Sequence, residues 1–114
     1  MSESDIQQQV RLLSRGNVRL FRFQCGHFEL KDGRRITVGV PGMSDLIGWR
    51  SVTVTQDMVG KRVAIYCALE IKSPGHSTKK DRLEKQLAFI ATVKEHGGIA
   101  ALVTSQEQAM ELLK

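Results

Sequence analysis

Apolar positions along this chain alternate between two periods. Near the N-terminus Ile6, Val10 and Leu13 recur at i, i+4 and i+7, behind Ser2 or Ser4 and ahead of Gly16, which predicts an amphipathic helix over about residues 3–15. Val18, Leu20, Phe21 and Phe23, interleaved with Arg19 and Arg22, are β-formers in near alternation and predict a strand that ends at Cys25-Gly26. Asp32-Gly33 signals a turn, and Arg35 to Val40 predicts a short strand. From Asp45 to Thr55, and again from Arg62 to Ile71, the chain is almost continuously apolar or β-branched, the pattern of strands buried on both faces or nearly so. The QDMVGK segment between them has the length of a hairpin loop. Ser73-Pro74-Gly75 then breaks the chain, Thr78 with Asp81 has the form of a capping box, and Leu83, Leu87, Ile90 and Val93 hold helical period as far as Gly97-Gly98. Ile99 to Val103 predicts a short buried strand. Ser105 with Gln108 caps a last helix carrying Ala109, Met110, Leu112 and Leu113. The predicted order is α, β, β, β, α, β, α, with one small additional strand.

Composition narrows what such an order can build. At 114 residues, 41% hydrophobic and 25% charged, the chain has the size and mix of a single globular domain, 1–114, able to fold without metal or disulfide staples, and a two-domain enzyme is excluded. Cys25 and Cys67 lie far apart, with neither a paired metal-ligand spacing nor a disulfide framework, which predicts a reduced, cytoplasmic protein. The polar start MSESDIQQQV is unlike a signal peptide, and no apolar run approaches the ~20 residues that cross a bilayer, so no membrane association is expected. Seventeen Lys and Arg against twelve Asp and Glu give a net charge of +5, which favours a polyanionic partner. The stretch from Lys61 to Lys85 holds seven basic and three acidic residues, so most of the excess is concentrated there.

Two carboxylates stand out against this pattern. Asp45 and Glu70 each interrupt a strand that is otherwise apolar, and a buried carboxylate without a partner costs several kcal/mol. If the expected hairpin turns near Asp57 and Met58, Asp45 falls opposite Glu70, although a bulge at Gly48 would shift that register by one. Like charges so placed call for a cation, and oxygen ligands suit Mg²⁺ or Mn²⁺ better than zinc. Lys72 follows Glu70 by two residues and so points to the same face of a strand. Two carboxylates for a metal, with an ammonium to orient water or stabilise developing charge, are what metal-assisted phosphodiester hydrolysis needs. A structural ion pair at a strand end accounts for the E-x-K spacing equally well.

The segments PGMSDLIGW, ALEIKSP, KKDRLEKQLAFI and GGIAALVTS, with SESDIQQQVRLL at the start, resemble the VRR-NUC domain, the virus-type replication and repair nuclease branch of the PD-(D/E)xK superfamily. The resemblance covers most of the chain and is weakest over residues 24–40. It implies an α/β fold with a restriction-endonuclease-like αβββαβ core, here followed by a C-terminal helix. It also implies a Mg²⁺- or Mn²⁺-dependent endodeoxyribonuclease whose products carry a 5′-phosphate and a 3′-hydroxyl. Carried over by position, Asp45 and Glu70 would ligate the metal together with the Ile71 carbonyl, and Lys72 would assist the attacking water. Ser44 stands where the superfamily has a proline before its first acid. Glu3 matches an outer or water-mediated ligand on the first helix, a role Asp5 could supply instead. Gln86 matches a glutamine that faces the site and holds a metal-bound water. Stand-alone members of this size resemble Holliday junction resolvases of phages or prophages, which implies branched or junction DNA as partner and a homodimer. A monomeric flap or nicking nuclease on the same fold, and a DNA-binding module without catalysis, are the alternatives.

Other residues have plainer readings beside functional ones. Without the resemblance Gln86 is a solvated helix residue. Lys79, Lys80, Arg82 and Lys85 are either an exposed charged face or phosphate contacts that add salt-dependent affinity without base specificity, and Arg19, Arg22, Arg34 and Arg35 would extend that surface. His76 is either an exposed loop histidine or a group against the scissile phosphate. His27 and His96 carry no metal pattern, Trp49 is expected in packing or a dimer contact, and Cys67 in a buried strand is expected to be inert.

Overall fold

The computed structural model describes residues 1–75 and 77–114, that is, all but His76. The chain divides into two compact units, Met1–Val52 and Thr53–Lys114, taken in turn.

The first unit begins with helix α1, Glu3–Arg11. Ser2 caps it: its hydroxyl accepts from the Asp5 N–H at 3.1 Å and its own N–H donates to Asp5 Oδ2 at 3.2 Å, a reciprocal capping box that satisfies two donors. The helix stops short of the expected residue 15. Leu12, Leu13 and Ser14 donate back only three residues, to Gln9, Val10 and Arg11, and this tighter winding leads into a turn instead of a further helical turn. The Ser14 hydroxyl then accepts from the Leu20 N–H, tying the helix exit to strand β1, Val18–Arg22. Strand β2, Gly26–Glu29, and β3, Arg35–Val38, form an antiparallel ribbon. Its tip is closed by Asp32, which accepts from the Arg34 N–H and pairs with the Arg34 guanidinium at 2.7 Å. Strand β4, Leu46–Arg50, pairs antiparallel with β1 from Val18↔Arg50 to Arg22↔Leu46. That register is continuous, so Gly48 marks no bulge. A Cβ there would collide with the Arg19 carbonyl, and glycine is what lets the two backbones approach. Trp49 packs its ring on Phe21, the diagonal neighbour on the same face, with centroids 5.5 Å apart.

The second unit carries a 3₁₀ turn, Gln56–Met58, then strand β5, Cys67–Ile71, helix α2, Lys80–Glu95, strand β6, Ile99–Val103, and helix α3, Gln106–Leu112. β5 and β6 are parallel, from Cys67↔Ile99 to Ile71↔Val103, and α2 is the crossover between them, as parallel neighbours require. Val93 on α2 with Ala100 and Val103 on β6 form the buried centre of this unit. α2 closes at His96 and leaves through Gly97, whose φ of +92° a side chain would strain. Ser105 caps α3 by accepting from the Gln108 N–H.

The architecture is α/β, and its order matches the expected one, β3 being the small additional strand, once β2 is inserted after the first strand. Several expectations are corrected. The two long strands are short: only Leu46–Arg50 and Cys67–Ile71 are laddered. Val52, Val54, Val63 and Ile65 are exposed, not buried on two faces. Thr78 is no helix cap, since α2 starts one residue later with Lys79 at its N-cap and no side-chain cap bond. Cys67 opens β5 at an exposed position, its thiol donating to the Ile65 carbonyl.

Candidate functional site

The parallel ladder fixes the direction of the residues that matter. Glu70 lies opposite Leu102 in β6, and the Lys72 N–H donates to the Val103 carbonyl at 3.0 Å, so the chain stays extended through residue 72. Period two then sets Glu70 and Lys72 on one face, where the Lys72 ammonium lies 3.5 Å from Glu70 Oε1. The Lys72 side chain is only 14% exposed, so the pair is a held contact and not a solvated lysine drifting past a carboxylate. From α2, Gln86 donates its Nε2–H to the same oxygen, Glu70 Oε1, at 2.9 Å. Both donors therefore converge on one oxygen, and Oε2 keeps its lone pairs for something else. The Gln86 Oε1 atom is buried and has no partner among the described residues. A buried acceptor left unmade costs about 1–3 kcal/mol, and such orphans mark places where a donor from outside the protein is received.

Glu70 and Gln86 open onto a cavity of about 450 Å³ between β5 and α2. Arg82 and Lys85 line it on the helix side, one turn before Gln86 and beside it, while Phe89 and Ile90 continue the wall with apolar surface. Lys79 and Lys80, which open the helix, are exposed and do not line it. Phe89, spaced three residues from Gln86, is a wall residue that periodicity had not singled out. His76 lies outside the described residues.

Asp45 belongs to the first unit. It stands one residue before β4, pinned by its backbone, whose carbonyl accepts from the Phe23 N–H at 2.9 Å, while the side chain is exposed. Glu70 belongs to the second unit, on β5. Of the two acids on α1, Asp5 is engaged by Ser2 in the cap, whereas Glu3 is exposed with no such role. The side chain of Ser2, and after it the Ser2 N–H, hold the Asp5 carboxyl below its ordinary value. Neither unit by itself brings three or more His, Cys, Asp or Glu side chains together among its described residues. What the chain offers near Glu70 is oxygen, one side of the carboxylate and the Ile71 carbonyl, donors of the kind that hard divalent cations take. His27 is paired with Thr37 at 2.9 Å, and His96 forms the end of α2. Among the described residues no helix is long and apolar enough to cross a membrane.

The family model described as the VRR-NUC domain matches residues 9–107 and so runs through both units. No curated protein and no solved structure matches the chain.

Proposed function

Because this chain belongs to the VRR-NUC family, and is therefore a nuclease, we propose that it is a Mg²⁺- or Mn²⁺-dependent endonuclease of branched DNA that works as a homodimer, with residues 1–114 acting as one nuclease domain. The observation that carries this reading is the convergence of Lys72 and Gln86 on a single oxygen of Glu70 at the mouth of a cation-lined cavity. A carboxylate held in this way has one oxygen fixed by the protein and one presented to a ligand, which is how a metal-binding carboxylate is oriented.

Glu70 Oε2, the Ile71 carbonyl and Asp45 would hold the ion, with Glu3 reaching it through water. These residues would hold an ion whose chemistry, when bound, would be to polarise a phosphate oxygen and acidify water. The Lys72 ammonium, kept largely from solvent, stabilises negative charge as it develops on the phosphate. Gln86 keeps the Glu70 carboxylate from rotating and offers its buried Oε1 to a water at the site. The basic residues at the start of α2, Lys79, Lys80, Arg82 and Lys85, draw the DNA backbone to this face, and His76 is a further candidate for contact with a phosphate.

The test incubates the protein and its Lys72→Ala variant with labelled four-way junction, flap and linear duplex, in Mg²⁺, Mn²⁺ or EDTA. The natural sequence is expected to cut the junction in either metal and to be silent in EDTA. Lys72→Ala is expected to lose about 10²- to 10³-fold in rate, the size of one preorganised charge-stabilising group. Equal cutting by both proteins, or cutting that survives EDTA, sinks the mechanism.

A further inference from the structure

The first turns of α2 read KKDRLEK, a sequence able to neutralise itself. Asp81 and Lys85 are four apart, as are Lys80 and Glu84, and pairs at that spacing commonly meet on a helix surface. Neither pair forms. Among the described residues the ion pairs are Arg34 with Asp32, Lys72 with Glu70 and Lys114 with Glu111, so Arg82 and Lys85 carry charge that no protein carboxylate compensates. They are also the two members of the cluster that line the Glu70 cavity. Glu70 is already engaged by Lys72, so the cavity lining carries two further cations, Arg82 and Lys85, beside a single carboxylate that is itself paired. The apolar wall of Phe89 and Ile90 supplies low-dielectric surface on one side, which concentrates the field of those charges within the cavity.

We propose that Arg82 and Lys85 form a phosphate clamp in the Glu70 cavity, seating a DNA phosphodiester beside the reacting one, while Lys79 and Lys80 contribute only general attraction to the backbone. The proposal rests on the nuclease reading above and divides a cluster of four cations into two roles. Arg82 lies one helical turn before Gln86, whose amide touches Glu70, so its guanidinium fork reaches the same opening and can hold two phosphate oxygens at once. Lys85, next to Gln86, supplies a point charge from the adjacent side. Gln86 lines the same cavity, so the two cations flank the residue whose amide holds Glu70.

The test compares two double variants that remove the same two charges, Arg82→Gln with Lys85→Gln and Lys79→Gln with Lys80→Gln. All four residues are exposed and glutamine is a good helix former, so both proteins keep the fold. Calorimetry with thymidine 3′,5′-bisphosphate in Ca²⁺ measures phosphate binding apart from turnover, and cleavage of saturating junction DNA in Mg²⁺ measures kcat. The first pair is expected to weaken bisphosphate binding about tenfold or more and to lower kcat, as loss of charge-assisted hydrogen bonds does. The second pair is expected to leave bisphosphate binding within about twofold and to weaken affinity for long duplex with a shallower salt dependence. Equal losses in the two pairs, no loss in the first, or a natural protein that does not bind the bisphosphate overturns the clamp. A natural protein that cuts DNA while the pairs behave alike spares the nuclease reading. One that binds the bisphosphate through Arg82 and Lys85 yet cuts no DNA spares the clamp and overturns the nuclease reading instead.

Discussion

Glu70 Oε1 takes a hydrogen bond from Gln86 and the ion-pair contact of Lys72, and that asymmetry has measurable consequences. Removing the Gln86 amide leaves Oε1 with the 3.5 Å lysine contact alone and frees the carboxylate to turn. Gln86→Leu, close in volume, is therefore expected to weaken Mn²⁺ binding by about 10- to 100-fold, the usual cost of losing a group that orients a metal ligand. Titration of Mn²⁺ followed by electron paramagnetic resonance reads this directly, and unchanged affinity would mean that Gln86 does not position Glu70. Asp5 gives a second test at this scale. Its carboxyl is held below the ordinary value by the Ser2 side chain first and the Ser2 N–H second, so the capping contribution is complete above the unfolded-state value and fades as pH falls through the lower, folded one. In Ser2→Ala the Asp5 titration followed by NMR is expected to move up toward the ordinary value. An unmoved titration would show that the capping box does not set it.

At the scale of elements, Gly48 is where β1 and β4 touch most closely. Its added Cβ would meet the Arg19 carbonyl, which a flexible side chain could evade but a paired backbone cannot. Gly48→Ala is expected to destabilise the protein by about 1–3 kcal/mol, the range of an overpacked site, seen as an earlier urea midpoint. The β5, α2, β6 succession was legible because two short, almost continuously apolar runs flank a segment of helical period, with Ser73-Pro74-Gly75 and Gly97-Gly98 between them. Glu70 and Lys72 sharing a face followed from the strand period of two. Gln86 reaching Glu70 did not, because a helix–strand contact depends on how α2 lies across β5 and no local pattern encodes that. β2 was illegible for a related reason: GHFE is a weak strand sequence that becomes one by pairing with β3. Residues 52–55 and 62–66 show the opposite error. VTVT and RVAIY are rich in β-formers, but propensity is local whereas a ladder needs a partner strand alongside.

Over the whole molecule the net charge of +5 understates what DNA would meet. If Glu3, Asp45 and Glu70 serve a divalent ion, the seventeen Lys and Arg face nine other acids, and affinity for duplex should fall steeply with salt. Electrostatics of this kind draws DNA in without choosing a structure. A choice of four-way junctions over duplex needs a second feature, and two-fold symmetry supplies one: a junction carries strands in symmetric pairs, each chain offers one Glu70 site, and two sites related by a dyad cut both members of a pair. Light scattering in the concentration range of the cleavage assay is therefore expected to give twice the 12.7 kDa chain mass, and a junction is expected to release both nicked strands in a single binding event. A strictly monomeric protein that still cuts would defeat the symmetric resolvase and favour single nicks at flaps, because one site can address only one strand at a time.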